Sequence, residues 1–426
     1  MTAEVDVAVV GAGAAGLAAG SRLQAAGVRV AVLEAAARAG GRAYTDTTSF
    51  QGVAWDRGCH WLHSASVNPL RAAADRLGIA YKTRGSRQAR MTHLGRRWAS
   101  EDERVTAWQA LEAAFDAMRQ AGAEGRDVAA SAVIDTGSPW ARLVRHWLAL
   151  VSAAEPEALS TLDFAAYTDT GENYPVGPGY GALVLAEATD AAPGLSVTLN
   201  CPVARIDWSG SGVVLDTAHG RLKARLAVVA VPTTVIAEGG LGFFPALPAE
   251  LGEAFAAMPL GCAEKVAIRF DRDVFGLPPT SYADTIDLDR ERRAPINFTL
   301  NPFGHDMAIG QLAGENARGL VAAGPAAMTD FALAALTDAF GSDLRARVIG
   351  TATTGWVADP LIGGAYSCAL PGAGHFRARL GATLGERVLF AGEAVSPHAY
   401  STCHGAHLTG LEAARTALAA LGVRAP

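Results

Sequence analysis

The chain has 426 residues, half of them hydrophobic and 18% charged, with a net charge of −6. This allows a large core over two or three domains or one large intertwined unit and argues against a disordered chain, while the acidic balance without a basic cluster argues against a nucleic-acid partner. Cys59, Cys201, Cys262, Cys368 and Cys403 are scattered without a C-x-x-C pair, so neither a zinc site nor a disulfide framework is expected. No apolar run is long enough to span a membrane, and MTAEVDVAVVGAG has no basic region or cleavage site, so no signal peptide is expected and a cytoplasmic location fits.

The first predicted element is a buried parallel strand, Val5 to Val10. Gly11, Gly13 and Gly16 follow in G-x-G-x-x-G spacing, then a helix from Ala14 to Ala26, a stop at Gly27, and a second strand, VRVAVLE, ending at Glu34. This is the pattern of a dinucleotide-binding βαβ unit. Gly11 allows the tight turn, Gly13 lets a pyrophosphate approach the backbone, and Gly16 packs helix on strand. The helix N-terminus attracts phosphate. Glu34 is placed to accept hydrogen bonds from a ribose, and its charge would repel a 2′-phosphate, which disfavours NADP. The unit by itself leaves NAD and FAD open.

Next come Arg38, Gly40, Gly41 and Arg42. The glycines permit close backbone approach, and the arginines can neutralise phosphates or shield a carboxylate. DERVTAWQALEAAFDAMRQ has apolar residues at helical spacing. SVTLNCPVARIDW, GVVLDTAHG and LKARLAVVAVP read as short strands. INFTLN and DMAIGQLAG read as further strands, and AAMTDFALAALTDAF as a helix. Near the end, the apolar strand RVLF runs into Gly392 and Glu393, as a binding loop should, and His404, Gly405 and Ala406 open the last helix.

Seven ordered segments across nearly the whole chain resemble the flavin-containing amine oxidase family, of the monoamine/polyamine oxidase type. They are RAGGR, GCHWLHSASVNPL, ENYPVGPGYGALVLAEA, CPVARIDW, GCAEKVAIRF, GWVADPLIGGAYS and FAGEAVSPHAYSTCHGAHLTG. The set is most similar to spermine and N-acetylpolyamine oxidases. The resemblance implies an α/β fold: a Rossmann-like, glutathione-reductase-type FAD-binding domain formed by 1–75, 195–275 and 375–426. A mixed α+β substrate domain, 76–194 and 276–374, is interleaved with it. The FAD contacts it implies are Gly11, Gly13, Ala15, Gly16, Glu34, Ala35, Gly41, Arg42, Val203, Trp356, Gly392, Glu393, His404, Gly405 and Ala406. Among them, the Val203 backbone meets the adenine, Glu393 bonds the ribityl or phosphate region, and the helix from Gly405 points at the flavin N1–O2 edge.

By the same resemblance, the catalytic group comprises Lys265, which holds a water against flavin N5, and His63, which lines the substrate pocket. Tyr366 supplies one tyrosine of an aromatic sandwich, and Thr402 stands where the second tyrosine would be. Ala365 stands where covalently flavinylated relatives carry cysteine, so FAD is expected to be bound non-covalently. Cys368 reads as a small buried hydrophobe, Trp61 and Trp356 as core or flavin-flanking aromatics, and His60 as structural. His404 and His407 are not expected to bind metal, since no carboxylate or cysteine partner is evident.

The implied activity is FAD-dependent amine oxidation. A hydride passes from the carbon next to an amine nitrogen to flavin N5, the imine is hydrolysed, and oxygen reoxidises the flavin to give hydrogen peroxide. The expected substrate is a polyamine or related secondary amine, with a primary monoamine or amino acid as the alternative. A non-catalytic protein on the same fold is the reading from a different class. No histone-reader segment is visible, so a chromatin role is not expected. The expected partners are the amine and molecular oxygen, with no nucleic acid and no membrane, and the oligomeric state is left open.

Overall fold

The computed structural model describes residues 3–83, 90–288 and 293–424. Its first sheet is built around the strand Ala3–Val10, which pairs in parallel with Val30–Leu33 on one side and Gly220–Val229 on the other. The β-branched run Val5 to Val10 is covered on both faces, as a parallel strand requires. Val197–Thr198 extends the sheet beyond Val30–Leu33, and Val388–Phe390 adds to Gly220–Val229, again in parallel. The strands Val203–Asp207 and Val213–Thr217 form an antiparallel extension, closed by Gly242–Phe244 at the far edge. Segments from the beginning, middle and end of the chain therefore share one sheet.

The helices Ala14–Ala25 and Cys403–Leu421 pack together over this sheet. They approach so closely that a Cβ on Gly410 would stand 2.1 Å from the Ala15 carbonyl oxygen. The predicted first helix is observed one residue shorter than expected. The second strand ends at Leu33, and Glu34 leaves it to turn toward the glycine loop.

The second sheet has the order Val348–Thr353, Ala263–Phe270, Met307–Ala313, Ile296–Leu300, Ser281–Thr285, Arg90–His93. All pairings are antiparallel except the last. Helix Pro325–Phe340 buries Met328, Leu333 and Leu336 against Val266, Ile268 and Phe298. The long predicted helix is present as Glu101–Ala123, started by a capping box in which Ser100 and Glu103 satisfy each other's backbone N–H groups. The strand carrying Lys265 lies within 195–275, yet it pairs in this second sheet with Met307–Ala313 and Val348–Thr353. That pairing puts Lys265 at the seam between the two sheets. A buried bidentate pair, Arg377 with Asp163 at 2.5 and 2.7 Å, ties the short helix Thr161–Ala166 to the C-terminal third of the chain.

Candidate active site

A cavity of about 670 Å³ runs between the two sheets. Of the residues singled out from sequence, Gly11, Gly13, Ala15, Glu34, Ala35, Gly41, Arg42, Val203, Trp356, Gly392, Glu393 and Ala406 line it, as do Lys265, His63, Tyr366 and Thr402. Gly16, His404 and Gly405 do not.

The glycine loop follows from local geometry. Gly11 has φ +97°, a region that L side chains avoid. A Cβ on Gly16 would lie 1.8 Å from the Gly11 carbonyl oxygen, so Gly16 serves helix–strand packing. A Cβ on Gly13 would meet no protein atom within 4 Å and would project into open space. Gly13 is also the N-cap of the helix and supplies no side-chain cap, so the first-turn N–H groups stay available. Glu34 accepts from the backbone N–H of Ala12 at 2.7 Å and of Ala36 at 2.8 Å, fastening the loop to the turn after the second strand. Each carboxylate oxygen retains a second acceptor position.

Arg42 and Glu393 meet across 351 positions of sequence. Arg42 donates to the Glu393 carboxylate at 2.9 Å and to the Ala365 carbonyl at 2.6 Å. Of the two roles open to that arginine, it takes the shielding of a carboxylate. Glu393 also accepts from Ser367 N (3.2 Å), Ser367 Oγ (2.7 Å) and Ser401 N (2.8 Å). Its acceptor positions are thus filled by protein, and its carboxylate fastens three segments together. Burial pushes this carboxyl up, but the Arg42 charge, the Ser367 bond and the Arg377 charge outweigh it and hold the group below the usual range.

Lys265 lies between main chain and imidazole. Its Nζ donates to Asp56 O at 2.9 Å and Gly58 O at 2.5 Å, and it stands 3.0 Å from His60 Nδ1. Lys265 lines the cavity, and burial desolvates its ammonium and lowers its pKa to about 8, with Asp56 and Cys59 opposing the shift. His60, read from sequence as structural, contacts this lysine and lines the cavity. Its place two residues after Gly58 was the only sequence hint, and the pairing itself is between residues 205 apart. Burial, the Lys265 charge and His63 hold His60 well below the ordinary histidine pKa.

His63 also lines the cavity, with Nδ1 2.5 Å from Asn173 Oδ1. An amide oxygen only accepts, so Nδ1 carries the proton and Nε2 is left as an acceptor. Burial lowers the His63 pKa, and the Asn173 bond only partly offsets this. Asn173 carried no sequence signal of this role. Tyr366 presents its ring to the cavity, its hydroxyl donating to the Leu150 carbonyl. The Thr402 hydroxyl is consumed in capping: it donates to Ala399 O at 2.6 Å and accepts from Gly405 N at 3.0 Å, starting the last helix. Gly405 is required by the close approach of Ala399, whose carbonyl oxygen would be 1.9 Å from a Cβ there. His404 is buried, with a pKa lowered to about 4 by burial, by His63 and by His407. Trp356 is buried and donates from Nε1 to the Arg57 carbonyl at 3.1 Å.

The remaining wall is mainly aromatic and aliphatic, with Trp108, Leu111, Phe115, Trp147, Phe164 and Tyr167, and it also carries Arg90, Arg119, Asn297 and Gln311. Tyr167 meets Tyr400 edge-on at 5.3 Å, and both line the cavity. Asp169, exposed, is the carboxylate at this end among the described lining residues. Among the described residues, no helix is long and apolar enough to cross a membrane.

The chain is 28% identical to polyamine oxidase 2 of Arabidopsis thaliana, over 97% of this chain and 88% of that protein. It is 30% identical to lysine-specific histone demethylase 1 homolog 2 of Oryza sativa subsp. japonica, over 96% of this chain and 56% of the relative. Lysine-specific histone demethylase 2 of Homo sapiens is 26% identical, with 96% and 53% covered, so the chain spans about half the length of these demethylases. Among solved structures, cyclohexylamine oxidase from Brevibacterium oxydans IH-35A shares the fold with a TM-score of 0.82 at 23% identity, covering 98% of this chain and 99% of that one. A triple mutant of putrescine oxidase does so with a TM-score of 0.78 at 21% identity, covering 99% and 100%. The model of the flavin containing amine oxidoreductases matches residues 14–418, and the chain belongs to that family.

Proposed function

We propose that this protein is an FAD-dependent amine oxidase, with the nucleotide held along the first sheet and the amine at the aromatic end of the cavity. The observation that carries the reading is one continuous cavity joining a phosphate-ready glycine loop to a desolvated lysine and an apolar, aromatic wall. The residues fit the flavin nucleotide. Gly13 leaves a cradle that any Cβ would fill, the uncapped helix start offers N–H groups to phosphate, and Glu34 keeps acceptor positions for a ribose. Non-covalent attachment is supported by Ala365, which has no group able to form a tether. We assign the first sheet and its helices to the nucleotide and the second sheet, with helix Glu101–Ala123, to the substrate.

A bound flavin supplies the two-electron acceptor, taking a hydride at N5 and passing the electrons to oxygen with formation of hydrogen peroxide. The protein's contribution is a dry pocket and neutral bases. An alkyl ammonium must lose a proton before its α-carbon can release hydride, and its pKa lies near that of lysine. His63, kept neutral by burial, lines the cavity as an acceptor for that proton, and His60 does so when Lys265 is neutral. Tyr366 and Tyr167 give the substrate a flat apolar surface, which orients the reacting carbon.

The wall favours an amine with a hydrocarbon body. Among its described residues, Asp169 is the one carboxylate at the substrate end, which suits a single distal cation, and each further buried ammonium would need its own partner. The polyamine reading draws support from the names of the polyamine oxidases among the relatives. A panel of spermine, spermidine, their acetyl forms, putrescine, cycloalkyl amines and aromatic monoamines decides between them. Anaerobic bleaching of the flavin is the readout, with peroxide release in air. Fastest bleaching by apolar monoamines is expected, and bleaching by polyamines alone would favour the polyamine reading. A purified protein without oxidised-flavin absorbance, and unable to take up FAD, would overturn both.

A further inference from the structure

Behind Lys265 lies a second, smaller cavity of about 40 Å³, walled by Trp55, Thr280, Tyr282, Thr299, Phe303 and Ile309. Lys265, His60, Trp61, Tyr282 and Thr299 line both cavities, so Lys265 and His60 form part of the partition between them. Three residues of the small cavity carry buried polar atoms without a hydrogen-bond partner: Trp55 Nε1, Tyr282 Oη and Thr299 Oγ1. Buried polar groups are seldom left unpaired, and a water needs only about 10–15 Å³ with two or more polar partners. The volume has room for on the order of three. Phe303, 37% exposed, stands at the outer rim.

We propose that this second cavity holds water, and that His60 and Lys265 together carry a proton from the amine in the large cavity into it. The proposal rests on the amine-oxidase reading for its proton donor. With Lys265 neutral, its lone pair accepts from His60 Nδ1–H, and His60 Nε2, which makes no hydrogen bond among the described residues, is an acceptor. The substrate ammonium gives one proton to Nε2, the Nδ1 proton moves to Lys265 Nζ, and Lys265 turns one N–H from a carbonyl partner, Asp56 O or Gly58 O, to a water of the small cavity, which takes that proton and passes it to solvent past Phe303. One N–H bond breaks and another forms at each of the first two stages, an N–H bond breaks and an O–H bond forms at the last, and no oxidation state changes. When Lys265 is an ammonium instead, it donates to Nδ1, and His60 carries its proton on Nε2. The lysine's charge is thus expressed at the large cavity as the tautomer of His60. The charged and titratable groups around the pair are Asp56 and Cys59 beside Lys265, and His63 beside His60.

The first two tests need no substrate, so they stand apart from the amine reading. A crystal structure of the flavin-loaded protein is expected to hold ordered water bonded to at least two of Trp55 Nε1, Tyr282 Oη and Thr299 Oγ1, and a dry cavity overturns the proposal. Nitrogen-15 NMR of histidine-labelled flavin-loaded protein, with His60 assigned through His60→Gln, is expected to find Nε2 protonated at pH 6 and Nδ1 protonated at pH 10. One tautomer at both pH values overturns it. In Lys265→Met the exchange of tautomers should vanish, and its persistence counts equally against the relay. For the kinetic arm, Ile309→Phe fills the small cavity and Trp55→Phe removes one water partner. In either variant that loads flavin normally, proton release to a pH indicator on anaerobic mixing with amine should slow at least 10-fold. Release at the wild-type rate refutes the route.

Discussion

Lys265→Met isolates the central group of the site, and the structure sets its expected cost. The substitution removes the donor to Asp56 O and Gly58 O and leaves two buried carbonyls unpaired, at about 1–3 kcal/mol each. It also removes an ammonium whose pKa burial has lowered from 10.5 to about 8, a desolvation cost of about 3 kcal/mol at 1.36 kcal/mol per pKa unit. The two effects nearly offset at pH 7, so the variant should fold, with stability within about 3 kcal/mol of wild type. The pH dependence is the sharper measure. Because the folded pKa lies below the unfolded one, the unfolded chain binds more protons between pH 8 and 10.5, and this lysine's contribution to stability rises with pH through that window. Below pH 8 both states are charged and the full penalty applies. Urea unfolding of the flavin-free wild type and variant, at pH 7 and at pH 10.5, should show the wild type gaining up to about 3 kcal/mol relative to the variant. A difference independent of pH would refute the desolvated lysine. Turnover with the best amine should fall about 10²-fold or more, as for other single positioned groups.

Gly13→Val should leave the flavin-free protein about as stable as wild type while abolishing flavin uptake, because its side chain enters only the cradle. Gly16→Ala should destabilise the fold itself, since its Cβ would lie 1.8 Å from the Gly11 carbonyl oxygen; thermal melts and flavin titrations distinguish the two. Acid precipitation of the yellow protein should give a colourless pellet and a coloured supernatant, and a pellet that stays yellow would overturn non-covalent attachment. His63→Ala should slow flavin reduction by amine in anaerobic stopped-flow about 10²-fold or more, with reoxidation of the reduced flavin by oxygen near the wild-type rate. Slowing of the oxygen step alone would move His63 out of the amine-binding role.

The glycine loop and its helix were legible because each depends on near neighbours: Gly11, Gly13 and Gly16 lie within six residues and answer to one turn. Segment resemblance reached further and identified the positions of Lys265, His63 and Tyr366 at the cavity. It did not give their partners. Nothing near His60 in sequence bonds it, so its contact with Lys265 was not legible, and Thr402 lines the cavity while its hydroxyl is spent on the helix cap.

By itself, then, the sequence determined the βαβ unit, the periodicity of its helices and strands, the chemical types at the site and the family. The tertiary structure decided which of those groups are free to act. Arg42 and Glu393 neutralise one another across the chain, and Lys265 was carried onto the second sheet by pairing with Met307–Ala313 and Val348–Thr353. The histidines were made neutral by burial. The physical reason is range. Turn and helix preferences act over a few residues, whereas hydrogen-bond saturation and desolvation depend on every segment that closes over a group, and those segments meet only when the two sheets pack.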